Sequence, residues 1–260
     1  SSNPSPATRL MKKIIIFYNF SLHKIIKFFV DFFVYKKIFL YNFFIKNLSL
    51  GNFCFSYYSV RLNDVDFTDA TFRFACGGAY GNYFNSLIKE YKKKFFFLDI
   101  GANIGIFSLI ANNNKNCKKI IAIEPSRLIF NKLKKNLPSN KCKLYNLAIT
   151  NFNGFANLTI NKAHSGNSKL VKNKDKIKNK IQKVITKNFQ FFNMINKKFK
   201  PTNLMVKIDV EGHQLNVIKE IKKSKIYKNI SVLYIENENN YKSKIKLKKI
   251  LSGFKFVKFD

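Results

Sequence analysis

The residues best placed to do chemistry lie in FLDIGANIGIF, residues 97–107, where a short buried-strand pattern turns into a helical one. Gly101 and Gly105 let the backbone turn tightly and approach a ligand, and the first amides of the following helix are free to donate hydrogen bonds. Such a turn marks a nucleotide-type site at the carboxyl end of the first core strand. About twenty residues on, IIAIEPS ends a second strand in Glu124, where an acidic side chain can accept from both hydroxyls of a ribose. The spacing is G-x-x-x-G and not the G-x-G-x-x-G that seats a pyrophosphate on a helix amino terminus. Asp99, just before the first glycine, would repel a diphosphate but suits a ligand carrying an ammonium group. S-adenosylmethionine, with an α-amino group, a sulfonium and no phosphate, meets that requirement. The pattern D-x-G-x-x-x-G alone also describes an ordinary strand-to-helix turn; Glu124 in register favours the cofactor site.

A second cluster stands about a hundred residues later in KIDVEGH, residues 207–213. Asp209 and Glu211 flank a turn from strand into helix, on the edge where open α/β sheets bind ligands. Both could equally cap that helix and meet its dipole. Methyl transfer to a hydroxyl needs the reactants held in line and a base for the hydroxyl proton, and His213, with a near-neutral intrinsic pKa, is a third candidate. One turn into a helix, His213 also fits a plain surface position. Lys207 within the strand could pair with a carboxylate or an anionic acceptor, a structural ion pair being the expectation, and His164 with Ser165 and Gly166 is a candidate for covering the acceptor. Paired acids can hold a divalent ion, but no further carboxylate cluster supports one, so no metal is expected.

The elements around these clusters alternate. FFFLDI (95–100), KKIIAIEP (118–125), KCKLYNLAI (141–149), FANLTI (155–160), NLMVKIDV (203–210), ISVLYIE (230–236) and FKFVKF (254–259) read as strands. Between them IGIFSLIANN (104–113), SRLIFNKLKKNL (126–137, with Ser126 as cap), EGHQLNVIKEIKK (211–223) and KSKIKLKKIL (242–251) read as helices. Continuous apolar strands alternating with amphipathic helices predict an α/β fold with a mostly parallel sheet covered on both faces. Ahead of this, FCFSYYSV (53–60) and VDFTDATFRF (65–74) read as strands or extended segments, and NYFNSLIKEYKKK as a helix. The Lys/Asn-rich stretch 164–201 is expected to be a mobile connection holding one strand-like piece, KVITKNF.

Composition sets the limits. With 260 residues and 46% hydrophobic side chains, the chain can bury a core and is too apolar for intrinsic disorder. A formal net charge of +34 would draw it toward anionic partners. Lys, Asn, Ile and Phe are enriched together while Trp is absent, which points to adenine- and thymine-rich codons as the main cause. Cys54, Cys76, Cys117 and Cys142 lie far apart, with neither metal-ligand spacing nor a disulfide pattern. Residues 1–10 precede a Met-Lys-Lys start and are set aside as an added tail. Residues 11–50 form a basic, aromatic segment, expected to make two short helices that pack on the domain of residues 51–260 or lie in a bilayer interface. No run there is long enough to span a bilayer, and His23 has no ligating neighbour.

FLDIGANIGIFSLIA, IIAIEPS, KLKKNL, LYNLAITNFNG, HSGNSKL, MVKIDVEGHQLNVIKE and LYIE, in this order and spacing, resemble the FkbM-type methyltransferases over roughly residues 80–255. The resemblance implies a Rossmann-like class I methyltransferase fold and S-adenosylmethionine as cofactor. It also implies transfer of a methyl group, mainly to hydroxyls. By that likeness Asp99, Gly101, Asn103 and Gly105 line the methionine part, Glu124 with Pro125 and Ser126 holds the ribose, and Ala148 and Ile149 border the adenine. The residues alone reach the first four and Glu124. Three places depart from the family pattern. AYGNYF lacks an acid after its tyrosine, KVITKNFQFF lacks a Thr-Leu-Asp-Asp type sequence, and the chain stops after FKFVKFD. The last sheet strand is accordingly expected to be missing or supplied from near residue 60.

The expected function is a cytoplasmic, or membrane-associated, S-adenosylmethionine-dependent O-methyltransferase acting on a sugar, glycan or lipid-linked precursor. Peripheral membrane contact would run through residues 11–50. The rivals are a nicotinamide-dependent oxidoreductase and a non-catalytic basic module that binds RNA or membrane. Amino methylation of nucleic acid bases is disfavoured, because no N-P-P-Y type tetrapeptide is present.

Overall fold

The structure is a computed structural model that describes residues 13–18, 52–58, 60–78, 81–138, 140–171, 180–236 and 241–259. Its centre is a seven-stranded sheet in which every pairing is parallel. The strands are β1 (Lys13–Tyr18), β4 (Phe95–Ile100), β5 (Cys117–Ile123), β6 (Cys142–Tyr145), β11 (Leu204–Ile208), β12 (Ile230–Glu236) and β13 (Phe254–Phe259). They lie in the order β13-β1-β12-β11-β4-β5-β6. A hairpin of β2 (Phe53–Phe55) and β3 (Arg61–Asn63) stands apart. A smaller sheet, in the order β7-β10-β8-β9, is built from β7 (Ala148–Ile149), β8 (Gly154–Ile160), β9 (Leu170–Val171) and β10 (Lys180–Lys187).

Alternation along the central strands sends neighbours to opposite layers. Phe97, Ile120, Met205 and Tyr234 join one core with α2 (Asn82–Glu90), α3 (Ile106–Asn113) and α4 (Arg127–Asn136). Leu98, Ile121, Val206 and Leu233 join the other with α5 (Phe189–Phe199), α6 (Gln214–Lys223) and α7 (Tyr241–Ile250). Both faces of β4, β11 and β12 are therefore buried or nearly so, and that is why they read as nearly unbroken apolar runs. Phe84 of α2 lies stacked on Tyr234 at 4.3 Å between ring centroids, tying the first layer to the sheet.

Several expectations need correction. Residues 65–74 are not extended throughout: α1 (Ala70–Gly77) begins there, because the Asp69 side chain accepts the Thr71 N–H and caps it. KCKLYNLAI is two strands in two different sheets, parted at Asn146, whose Nδ2 donates to the carbonyls of Glu124 and Pro125. The stretch 164–201 carries a 3-10 turn (Ser165–Asn167), β9, β10 and the helix α5, which Asn188 caps. The strand that completes the sheet beside β12 comes from residues 13–18, not from near residue 60, where β3 pairs with β2 alone among the described residues. Those six residues are a strand and not part of a helical segment. Residues 19–50, with the rest of that expectation and His23, lie outside the described residues. The four cysteines are buried and free.

Asp69 joins two distant segments, since its Oδ1 accepts from Thr71 N at 3.0 Å and from Ser165 N at 2.9 Å. Asp69→Ala removes a cap and leaves a buried amide unsatisfied, so a loss of about 2 kcal/mol is expected. Urea unfolding measures it, and a midpoint equal to that of the parent protein would contradict the bridging role.

Candidate active site

β4, β5, β11 and β12 all end on the same edge of the sheet, and a cavity of about 240 Å³ opens there. The small sheet walls it with Ala148, Leu158 and Leu170, α1 contributes Thr71 and Phe74, and the 3-10 turn contributes Ser165 and Gly166. Glu124, Asp209, Glu211 and Glu236 line it, with Lys207 as the cation. In a chain of formal net charge +34, gathering four acids around one hollow sets this site apart from the rest of the protein.

The turn after β4 is fixed by backbone geometry. Asn103 adopts φ 50°, a left-handed conformation that Asn tolerates. Its N–H donates to Glu124 Oε2 at 2.9 Å, and Ser126 N donates to Glu124 Oε1 at 2.9 Å. Each carboxylate oxygen keeps acceptor capacity for a ligand. Burial pushes the Glu124 carboxyl up to about 7, against the pull of those two amides. Because the folded form then binds the proton more tightly than the unfolded chain, stability without ligand should fall as pH rises from about 4.5 to about 7. Glu124→Gln should flatten that slope, as read from urea midpoints across the range; an unchanged slope would show that Glu124 does not titrate there.

A charge cluster forms part of the cavity wall and continues beneath it to Asp99. Lys207 Nζ is 3.4 Å from Asp99 Oδ1 and 3.1 Å from Asp209 Oδ2, and it donates to the Gly101 carbonyl at 3.0 Å. Burial works against the ammonium, but the carboxylates of Asp209, Asp99 and Glu236 outweigh it and hold the group charged well above the ordinary lysine range. For Asp209 burial is the largest single influence and acts upward, but the charge of Lys207 and its contact with that ammonium, together with Glu236, outweigh it and hold the carboxyl below the usual range. Burial first, and the charge of neighbouring Asp209 second, push the Glu236 carboxyl well up. Burial also lowers His213, which keeps its imidazole neutral near pH 7, with Nε2 3.2 Å from Thr150 Oγ1.

Of the residues singled out in the sequence, Gly101, Asn103, Glu124, Pro125, Ala148, Ile149, Asp209, Glu211 and His213 line the cavity together, with His164, Ser165, Gly166 and Lys207. Asp99, Gly105 and Ser126 do not line it. Asp99 is fully buried one layer below, accepting from Ser108 Oγ at 2.7 Å and facing Lys207. Gly105 opens α3 against Leu133, and Ser126 caps α4 while its amide supports Glu124. Glu236 was not singled out as a site residue, although it closes the strand ISVLYIE on the same edge as the other acids. Thr71 and Phe74 were hidden in a segment read as extended.

Residues 99–257 match the family model for the methyltransferase FkbM domain. That is more than half of the chain, and the chain belongs to the FkbM methyltransferase domain family, whose cofactor is S-adenosylmethionine. Among solved structures it is similar to a "putative S-adenosylmethionine dependent methyltransferase" from Listeria monocytogenes, at 18% identity and a TM-score of 0.23, covering 25% of this chain and 30% of that one. It is also similar to precorrin-6y C5,15-methyltransferase from Geobacter metallireducens GS-15, at 12% identity and a TM-score of 0.36, covering 65% of this chain and 68% of that one. No curated protein matches the chain.

The lining suits that cofactor. The buried Glu124 carboxylate, held by two amides, is an acceptor set for vicinal hydroxyls, and Pro125, Leu147, Ala148 and Ile149 offer apolar surface for a purine. Asp209 presents negative charge where an ammonium would be stabilised.

Proposed function

We propose that the protein is an S-adenosylmethionine-dependent O-methyltransferase that acts on a hydroxyl of a sugar or of a glycan or lipid-linked precursor. The observation that carries this reading is the acid-lined cavity at the carboxyl ends of β4, β5, β11 and β12, with a neutral imidazole on its wall. When bound, the cofactor supplies a methyl group made electrophilic by its sulfonium. Glu124 holds the ribose hydroxyls, Asp209 meets the cationic end, and Gly101 and Asn103 shape the backbone around it. Gly105 and Ser126 support this arrangement from behind, and Asp99 does so through Lys207. Glu211 and His213, at the start of α6, are in place to accept the proton of the acceptor hydroxyl. The turn at His164–Ser168 covers the acceptor side.

The acids that suit a cation oppose a pyrophosphate, which supports this reading over nicotinamide chemistry. Among the described residues no helix is long and apolar enough to cross a membrane. In the same reading the enzyme works at the cytoplasmic side, with the part of the 11–50 segment that follows β1 near a lipid surface and no metal in its chemistry. Incubation with methyl-labelled cofactor and a polysaccharide or lipid-glycan extract, followed by mass spectrometry, tests the proposal. Label in carbohydrate is expected. Label confined to RNA or protein, or none while NAD binds, would overturn it.

A further inference from the structure

The smaller sheet has two faces of opposite character. Alternation along β8 and β10 turns Ala156, Leu158 and Val184 inward, where Leu158 and Val184 are buried in a small apolar core. The same alternation turns Phe155 and Ile185 outward, and the antiparallel register sets them directly opposite each other. They are 59% and 46% exposed, and Phe152, in the turn that opens β8, is 45% exposed beside Gly154. Single exposed apolar residues are ordinary, but three gathered at one end of a sheet mark a contact surface.

Cations frame this patch. Lys183 and Lys187 lie two residues to either side of Ile185 in β10, on the same face, and both are exposed. Lys183 Nζ stands 4.4 Å from the centre of the Phe155 ring, so its ammonium reaches over the apolar surface. Between Glu124 and Asp209 the sequence carries a single acid, Asp175. Glu220 of α6, which accepts from Phe189 N just beyond β10, is buried and pairs with Lys223 at 2.6 Å, so it presents no carboxylate to the face.

We propose that this face of the smaller sheet docks on an anionic phospholipid surface. Phe152, Phe155 and Ile185 enter the boundary between headgroups and acyl chains, and Lys183 and Lys187 meet lipid phosphate. Charge complementarity selects that partner. Phenylalanine and isoleucine side chains have no hydrogen-bonding group and gain only from an apolar medium, while the lysine rim needs negative charge beside it. A bilayer of anionic lipid supplies both at adjoining depths. The surface is drawn from residues other than 11–50 and stands without any assumption about the methyl acceptor. The same sheet walls the cavity with Ala148, Leu158 and Leu170, so docking holds the cavity one sheet away from lipid.

The chain has no tryptophan, so Phe155→Trp introduces a single reporter. In the full chain its fluorescence should shift to the blue and be quenched by vesicles of brominated phosphatidylglycerol, and neither change should occur with brominated phosphatidylcholine. Phe55→Trp, on the separate β2–β3 hairpin, is the control and should stay unquenched. In co-sedimentation with phosphatidylglycerol vesicles, Lys183→Gln with Lys187→Gln should weaken binding by about tenfold or more. Phe155→Ser with Ile185→Ser should weaken it by about as much. All four side chains are exposed, so both double variants should melt like the parent protein. No quenching of Phe155→Trp by the anionic vesicles, or binding unchanged in both double variants, overturns the proposal, because docking then belongs to another surface or to the general charge of the chain. A shift of Phe155→Trp emission with polyuridylic acid that the vesicles do not reproduce, or one that follows protein concentration alone, overturns it in favour of RNA or a second copy of the chain. Every readout is of binding, so absence of methyl transfer to a glycan would sink the function proposed above without touching this inference.

Discussion

Lys207→Met should destabilise the protein by about 3–5 kcal/mol, the usual cost of removing one partner from a buried ion pair. The reason is Asp99, which is fully buried with one oxygen bonded to Ser108 and the other, lacking a hydrogen-bond partner, directed at the ammonium. Without Lys207 that carboxylate has no compensation, and Asp209 loses its ion-pair partner at 3.1 Å. The Gly101 carbonyl also loses a donor at 3.0 Å, which loosens the cavity floor. Urea unfolding gives the number. Adding Asp99→Asn to Lys207→Met should recover part of the loss, because the buried charge is then removed with its partner. A single-variant cost under about 1 kcal/mol would mean that solvent reaches the cluster and that Lys207 does not neutralise it.

Gly101→Ala is the second change with a large expected effect. A Cβ at that position would stand 1.8 Å from the Asp209 carbonyl oxygen and 2.8 Å from its carbon, on a backbone with φ +77°. Neither obstacle is a flexible side-chain end: the first is main chain at the tip of β11, and the second is a conformation that L side chains rarely adopt. The ends of β4 and β11 must separate to make room, which displaces Asp209 from Lys207 and opens the cofactor pocket. A loss of at least about 4 kcal/mol, or failure to accumulate folded protein, is expected. Any folded fraction should bind S-adenosylmethionine at least about tenfold more weakly. Gly253→Ala is the control, since an added Cβ there meets nothing within 4 Å. Parent-like melting and cofactor binding in Gly101→Ala would show that the strand ends yield freely.

How far the sequence could be read followed from how strongly local chemistry constrained each segment. β4 and β12 lie where FFFLDI and ISVLYIE placed them, because a parallel strand covered on both faces leaves a nearly continuous apolar run, and the terminal strand β13 lies where the alternating FKFVKF placed it. α4 was equally legible from Ser126 and the spacing of Ile129 and Leu133. α1 was not, because Phe67, Phe72 and Phe74 suggest a strand by propensity while a single aspartate cap decides for helix. In α5 the core positions Phe191, Phe192 and Ile195 were obscured by the Lys and Asn residues around them. β1 departs from the helix that its basic, aromatic neighbourhood predicts, because three consecutive isoleucines in KIIIFY favour a strand.

The candidate site shows the same division. Asp99, Gly101 and Glu124 could be singled out because the turn chemistry of the β4 and β5 ends is local, and acids at strand tips on one edge brought Asp209 into the same picture. What was not local was the partnership among them. That a lysine in an apolar strand would come between Asp99 and Asp209, so that Asp99 acts from beneath the floor, depends on side-by-side register of β4 and β11, with Lys207 opposite Asp99. Glu236 needed the next strand as well.

The placement of β1 also bears on how the chain comes together during synthesis. Among the described residues its strand neighbours are β12 and β13, separated from it by on the order of two hundred residues, so this early-made strand must wait for late-made ones before it can be seated. Until then that margin of the sheet is unfinished, and β12 offers its backbone groups to any passing strand. The ribosome thus delivers the wedge long before the slot, and assembly of this margin should be the slowest part of maturation.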